Sequence, residues 1–486
     1  MTTLADRAIS AGRWTAASAV ARLAIQVLQT VILARMLGPQ AFGAMAVVGS
    51  FLAILMVISD LGMSRALIHF DTLSQELLSN LFWCALAVSF GVALLFALAA
   101  PLLARGFNYP ELAGVLATSS LIFPVTAAGQ QLRTFAEKNF RFRELALSEI
   151  LAAASGLFVG ILLAFWNMGP YALLGAVLVV AAFNTIFAWV VLRGAWLPSR
   201  WTAGVNIGAQ LRYGAYLMGD GLTSTVRMHA DILIAATVAG PSAVGLYTVA
   251  RDLALKVSNS LINPIITRVS LPLFARVQED RNRLRAGYLV TMQIVSFLNF
   301  PIYFALGLYA PEIIRVLYGA DWVSAALFLR LLAAWGLVRC VGNPVGSLLY
   351  AAGHVRMAFF WNAVFLVLVP PFLLFGAVTG GLHGLAWAMV LTQLAFFVIA
   401  WAVFVWPACN ARLDEYVGSM APAFLASLLA ATCAGCATLH IESTSARLAV
   451  GGLAGSLAYA LFTAILNRTI SQRVFGALFS GSRRRP

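Results

Sequence analysis

Fourteen runs of about 20 apolar residues divide this chain, and about 20 residues is the length a helix needs to cross the hydrocarbon core of a bilayer. They fall at roughly 13–35, 41–62, 79–104, 112–132, 144–166, 171–193, 211–238, 243–264, 287–309, 325–350, 356–378, 383–406, 418–439 and 446–466. Lipid offers no hydrogen-bond partner to the backbone, so runs of this length and polarity are expected as helices. The expected fold is an all-α polytopic membrane protein with about 14 transmembrane helices. Composition agrees: 61% of the 486 residues are hydrophobic and only 10% charged, against about 25% charged in a soluble domain. The net charge of +14 raises nucleic acid as a partner, but no basic soluble domain is present to bind it. Basic loops account for the charge instead.

Those loops also set an orientation. Arg7, Arg13, Arg65, Arg133, Lys138, Arg141, Arg143, Arg193, Arg200, Arg212, Arg268, Arg276, Arg281, Arg283 and Arg285 lie before the first run or beside even-numbered loops, as do Arg356, Arg412 and the tail arginines. Odd-numbered loops hold Arg35, Arg105, Arg315, Arg330 and Arg447. The positive-inside rule then places both termini in the cytoplasm. Residues Met1 to Arg13 are too polar and short for a cleavable signal peptide; a brief amphipathic surface helix is the alternative.

An internal repeat divides the chain. Gly38-Pro39-Gln-Ala-Phe-Gly43 follows the first run, and Gly240-Pro241-Ser-Ala-Val-Gly245 follows the seventh. Arg141 and Arg356 each open a later run, while Phe187-Ala-Trp189 and Ile399-Ala-Trp401 each end one. Six helices is an even number, so two such units share one orientation and are expected to be related by a pseudo-two-fold axis along the membrane normal. The expected organisation is a cytoplasmic segment 1–12, an N-lobe 13–195, a linker 196–210, a C-lobe 211–408, two further helices over 409–467 and a basic cytoplasmic tail 468–486. Gly38, Pro39, Gly43, Gly240, Pro241 and Gly245 are the expected turn or hinge positions.

Enzyme classes find little support. No loop gathers His, Asp and Glu as a metal or acid–base site requires, and there is no H-E-x-x-H, P-loop or G-x-S-x-G. The five cysteines form no disulfide pattern, and Cys433-x-x-Cys436 sits in an Ala/Gly-rich apolar run where small residues pack helices. No metal or cofactor is expected.

Polar residues inside apolar runs carry the functional expectation. A charge near mid-bilayer costs roughly 2.5–3.5 kcal/mol on insertion scales, so such residues face protein or a watery cavity. In the seventh run Asp220, Arg227 and Asp231 fall within about 40° of one another on a helix. In the eighth, Arg251 aligns with Ser258, and Asp252 with Lys256. The first run aligns Ser18, Arg22, Gln26 and Gln29, and the tenth aligns Arg339, Asn343 and Ser347. Pairing of Arg227 with Asp231 and of Asp252 with Lys256 would make these helix locks only. If the helices instead surround a cavity, its lining is mainly cationic, and Arg22, Arg227, Arg251, Lys256 and Arg339 would bind an anionic or phosphorylated substrate. Gln26, Gln29, Asn343, Ser258 and Asn259 would hydrogen-bond sugar hydroxyls. Trp14 and Tyr216 would stack on sugar or anchor helix ends. Asp220, Asp231 and Asp252 are candidates for ion coupling or ion pairing.

Short segments along nearly the whole chain carry a family resemblance. They are Leu37-Gly-Pro-x-x-Phe-Gly43, Asp60-Leu-Gly62, Asn139-Phe-Arg-Phe-Arg143, Asp231-Ile-Leu-Ile, Gly245-Leu-Tyr-Thr-Val-Ala250 and Ala352-Gly-His354. Together they resemble the polysaccharide-transporter members of the MOP flippase superfamily. The resemblance implies two six-helix lobes with two extra helices around a V-shaped cavity. It also implies transfer of undecaprenyl-diphosphate-linked oligosaccharides across a bacterial inner membrane for exopolysaccharide or lipopolysaccharide synthesis. Arg22, Arg227 and Arg251 match the cationic residues expected to hold the diphosphate. The lipid-linked oligosaccharide and the bilayer are then the partners, with a polymerase and glycosyltransferases as further ones. Membrane potential, or a Na⁺ or H⁺ gradient, is the expected driving force. A MATE-like cation or drug antiporter, which would need an acidic, aromatic cavity, and a non-transporting scaffold of a polysaccharide synthase are the rival functions.

Overall fold

The computed structural model describes residues 4–64, 67, 74–193, 196–256, 258, 262–278, 280–351 and 355–466. Arg65, Asn259, segment 352–354 and tail 468–486 lie outside the described residues. The chain divides into two compact units, Met1–Gly245 and Leu246–Pro486. The second Gly-Pro turn thus falls at the end of the first unit, which also holds the helix of the seventh run.

The first unit is built from helices α1 (Leu4–Asp60), α2 (Gln75–Gly106), α3 (Leu112–Ser119), α4 (Ile122–Lys138), α5 (Phe142–Phe165), α6 (Pro170–Phe187) and α7 (Gly208–Val238). Residues 4–12 continue directly into the first run. The first two runs are one helix with a break at Gly38, whose φ of 72° is open to glycine at no steric cost. Pro39 follows, where its missing N–H would have no helical acceptor. α8 (Pro241–Lys256) opens at the equivalent Gly-Pro and runs on into the second unit. The two turns touch: a Cβ on Gly43 would collide with the Pro241 carbonyl, and a Cβ on Gly245 with the Pro39 carbonyl. Glycine at both positions lets two backbones meet face to face.

Small residues bring other helices close. Gly156 and Gly160 of α5 lie against Ala176 and Ala172 of α6, as helices pack where lipid supplies no hydrophobic drive. A cluster of Leu81, Phe82, Leu132, Leu145, Leu192 and Trp196 fills one end of the unit. The linker after α6 is strapped to α2. Asn80 donates to Thr202 O (2.8 Å) and accepts from Thr202 N (2.9 Å), while Trp83 Nε1 donates to Ser199 O at 2.8 Å. Asn80→Leu removes two of these bonds and leaves the half-buried N–H and C=O of Thr202 without their partner, at roughly 0.5–1.5 kcal/mol each. Trypsin is expected to cut after Arg200 several-fold faster in this variant; an unchanged rate would mean the strap holds without Asn80.

The second unit continues with α9 (Asn263–Val277), α10 (Arg281–Leu308), α11 (Ala310–Tyr318), α12 (Ala325–Cys340), α13 (Asn343–Ala351), α14 (Val355–Ala400), α15 (Leu413–Ala437) and α16 (Thr444–Leu466). Its core joins Phe274, Tyr288, Met292, Phe300, Leu348 and Tyr416. The tenth expected run is broken into α12 and α13, because Pro344 has no N–H to continue the ladder. The eleventh and twelfth runs are one helix with a break at Gly380 and Gly381. Both Ala-Trp segments singled out in the sequence enter π-helical turns, Ala188–Leu192 and Trp401–Val405.

Among the described residues ten helices are long and apolar enough to cross a membrane. Leu95 (70% exposed), Leu102 (72%) and Phe158 (68%) stand on their outer faces. Bare apolar surface of this extent is stable only against lipid, and the chain is a multi-pass membrane protein.

Candidate functional site

A polar cluster inside the first unit joins four helices. Glu149 lies about two turns into α5, and each of its carboxylate oxygens meets an arginine. Arg22 Nη1 of α1 is 3.5 Å from Oε2, and Arg133 Nη2 of α4 is 3.4 Å from Oε1. Ser18, one turn before Arg22, donates to Oε2 at 3.4 Å. The other end of the Arg133 fork donates from Nη1 to Asn184 Oδ1 on α6. Ser148 donates to the same oxygen at 2.8 Å. Asn184 spends its own N–H on Val180 O (2.9 Å), which fixes the amide with its oxygen towards Arg133. Two guanidiniums face one carboxylate, and Glu137, one turn on from Arg133 in α4, is near enough to act on both Arg133 and Glu149. Arg22 is the open member, with 44% of its side chain exposed, while Arg133 is 18% exposed. Two planar guanidinium donors from different helices are thus held on one carboxylate.

A second feature of the first unit is a cavity of about 460 Å³, walled by α1, α2, α4 and α7. Asp60 and Asp220 both line it, with Gln130 and Gln131 from α4. No Lys or Arg is among its described lining residues.

The expected site residues divide between these features and others. Arg22 is in the cluster; Gln26 is exposed and Gln29 half-buried on the same helix. Asp220 is exposed on the cavity wall, Arg227 half-buried and Asp231 buried (4% exposed), so the stripe on α7 is not one continuous face to water. Trp14, expected to stack on sugar or anchor a helix end, lies under the Arg143 guanidinium at 5.9 Å; Tyr216 is exposed. In the second unit Arg251 is buried and pairs with its neighbour Asp252 at 3.7 Å, where Lys256 was the expected partner. Lys256 and Asn343 are half-buried. Arg339 lies over the Trp335 ring at 5.0 Å, an arrangement that offsets the cost of holding a cation in apolar surroundings. Ser258 donates to Asn263 Oδ1 at 3.3 Å.

Glu149, Asn184 and the glutamines of α4 were not singled out from the sequence. The signal for Glu149 was a lone carboxylate inside an apolar run, which demands a cationic partner by the same rule that selected Arg22.

The comparisons with known proteins agree along the chain. The lipopolysaccharide biosynthesis protein WzxC of Escherichia coli (strain K12) is 29% identical over 426 residues, 87% of this chain and 86% of its own length. The succinoglycan biosynthesis transport protein ExoT of Rhizobium meliloti (strain 1021) is 25% identical over 95% of this chain and 93% of its own. A solved structure of the lipid II flippase MurJ, in an inward closed conformation, superposes with a TM-score of 0.71 at 14% identity, covering 95% of this chain and 99% of that one. That likeness fixes the fold as the one this chain shares with MurJ. The family model described as polysaccharide biosynthesis protein matches residues 32–327, more than half of the sequence, and the chain belongs to that family.

Proposed function

We propose that the chain is a flippase that carries undecaprenyl-diphosphate-linked oligosaccharide units from the cytoplasmic to the periplasmic leaflet of a bacterial inner membrane, for exopolysaccharide or lipopolysaccharide assembly. The observation that carries this is the pair of guanidiniums sharing the Glu149 carboxylate. The diphosphate displaces Glu149 from Arg22, the more exposed of the two, and then from Arg133, and the prenyl chain remains in lipid. Arg133 and Asn184 lie at the ends of helices that border basic loops, which the positive-inside rule assigns to the cytoplasm together with both termini. Loading therefore occurs on the side where the glycan is built, and a polymerase and glycosyltransferases are its neighbours in the pathway. Alternating access of the two lobes then releases the lipid on the other side. A doubly charged diphosphate leaving a cell with 100 mV negative inside gains about 5 kcal/mol, at roughly 2.3 kcal/mol per charge, without any coupling ion.

The acidic cavity favours one second function, antiport of an organic cation. Increased resistance to cationic dyes on overexpression would support it.

The test uses cells that make the cognate lipid-linked glycan but lack this chain. A membrane-impermeant sugar-binding probe is expected to find the glycan exposed only after the chain is restored, and exposure is expected to slow when the potential is collapsed. Exposure independent of the chain removes flippase function; exposure that ignores the potential but follows a Na⁺ or pH gradient transfers the drive to an ion.

A further inference from the structure

We infer that residues 196–202, in the linker between α6 and α7, form a membrane-interface strap that docks on anionic phospholipid headgroups through Arg193 and Arg200. The inference does not depend on which substrate the protein carries.

The strap has no helix of its own, yet side chains from α2 pair its backbone. Gln75 Nε2 donates to Leu197 O, and Trp83 Nε1 donates to Ser199 O at 2.8 Å. Ser199 N donates to Ser79 Oγ at 2.9 Å, and Asn80 takes both backbone groups of Thr202. Pro198 has no N–H to satisfy. In water such bonds are optional, because solvent pairs an irregular backbone equally well. At the depth of a bilayer they are required, and irregular backbone is tolerated only where protein satisfies it.

The side chains agree. The polar groups of α2 turn towards the strap, while apolar groups stand on its outside. Trp201 is 54% exposed and Leu197 44%. Trp83 of α2, also exposed, adjoins them through its bond to Ser199. Trp83, Phe90 and Leu94 are all exposed, and spacings of 7 and 4 put them on one stripe of the helix. The apolar patch of the strap therefore continues a stripe of α2 that faces lipid. Indole rings are favoured at this level, where an apolar body and a polar N–H meet the headgroups.

Charge names the lipid. Arg193 follows the π-turn Ala188–Leu192, Arg200 precedes Trp201, and both are exposed. Among the described residues no carboxylate forms an ion pair with either. Arg141 reaches the same π-turn but is already engaged, with Val191 O at 3.2 Å and Glu144 at 3.1 Å. Two guanidiniums flanking a patch of tryptophan and leucine fit a phosphate diester above a hydrocarbon chain. A net-negative headgroup such as phosphatidylglycerol satisfies them without an ammonium group of its own.

The test is limited tryptic cleavage of the full-length protein in nanodiscs of phosphatidylcholine alone or mixed equally with phosphatidylglycerol. Cutting after Arg200 is read against cutting after Arg412, exposed at the N-cap of α15, which corrects for attraction of trypsin to an anionic bilayer. In wild type this relative rate is expected to fall about fivefold with phosphatidylglycerol, the worth of one basic residue near an anionic surface. Arg193→Gln keeps the Arg200 site and is expected to lose most of that protection. Leu197→Ser leaves every paired backbone atom in place and is expected to speed cutting in both bilayers. Thermal unfolding checks that both variants remain folded. Equal cutting of wild type in the two bilayers overturns headgroup recognition, and so does full protection in Arg193→Gln. Protection in native membrane vesicles but in neither nanodisc gives the face to a protein partner and overturns it as well.

Discussion

Gly43→Val is expected to leave almost no folded protein in the membrane, and Gly43→Ala to lower the unfolding temperature clearly. A Cβ at this position would overlap the Pro241 carbonyl oxygen, with the Pro241 carbonyl carbon 2.7 Å and the Gly245 nitrogen 2.9 Å away. All three are backbone atoms, so no side chain can rotate aside. On the other face, a Cβ on Gly245 would lie 2.9 Å from the Pro39 carbonyl carbon and 3.0 Å from the Gly43 nitrogen. Overpacking in a core costs about 1–3 kcal/mol when neighbours can adjust. Here relief requires moving two helix starts apart, and valine adds two methyl groups to the same collision. The control is Gly49→Ala, six residues along the same helix, where a Cβ meets nothing within 4 Å. That change is expected to be neutral or to stabilise by up to about 1 kcal/mol, the usual gain of Ala over Gly in a helix. Thermal unfolding followed by size-exclusion fluorescence separates the two. Equal melting of Gly43→Ala and wild type would show that the contact between the turns contributes nothing.

The glycine contact illustrates what the sequence made legible. Two Gly-Pro-x-x-x-Gly segments stood out as turns, and a helix starts at each of them. That the turns would meet each other was beyond periodicity, which orders residues around one helix and says nothing of its neighbours. The same limit governs the site. Arg22 stood out as a charge deep in an apolar run on a face shared with Ser18, and both reach one carboxylate. The identity of that carboxylate depended on α1, α4, α5 and α6 meeting at Glu149, which no spacing within a helix contains. Asp220, Arg227 and Asp231 share a helical face, yet burial separates them, because Gly214 and Gly221 draw α7 against Leu61, Gly62 and Val57. Arg251 was found as a buried cation; its neighbour Asp252 was passed over as its partner because adjacent helical residues ordinarily point apart. The break at Val341-Gly342, just before Asn343-Pro344, was readable from the proline.

Arg133→Ala at matched expression is expected to reduce glycan exposure on the far leaflet by about 10- to 100-fold. A charge-assisted hydrogen bond contributes roughly 1.5–3 kcal/mol, and each factor of ten corresponds to about 1.4 kcal/mol. Arg133 is only 18% exposed, so its interactions are moderately screened, whereas Arg22 at 44% is expected to contribute less and to give the milder phenotype. Removal of Arg133 also strips Asn184 Oδ1 of its charged donor, leaving Ser148. Arg133→Lys keeps the charge but not the fork that spans Glu149 and Asn184, and is expected to recover part of the flux. Glu149→Gln distinguishes binding from scaffolding. If Glu149 occupies the place of the diphosphate, its neutralisation frees both arginines, tightens binding of undecaprenyl diphosphate several-fold and slows release on the far side. If the cluster only clamps helices, Glu149→Gln and Arg133→Ala should destabilise the protein alike, and neither should alter lipid affinity once folded. Thermal unfolding and lipid binding measured on the same preparations decide between the two: weaker binding in Arg133→Ala with tighter binding in Glu149→Gln supports the diphosphate site, and parallel loss of stability with unchanged affinity ends it.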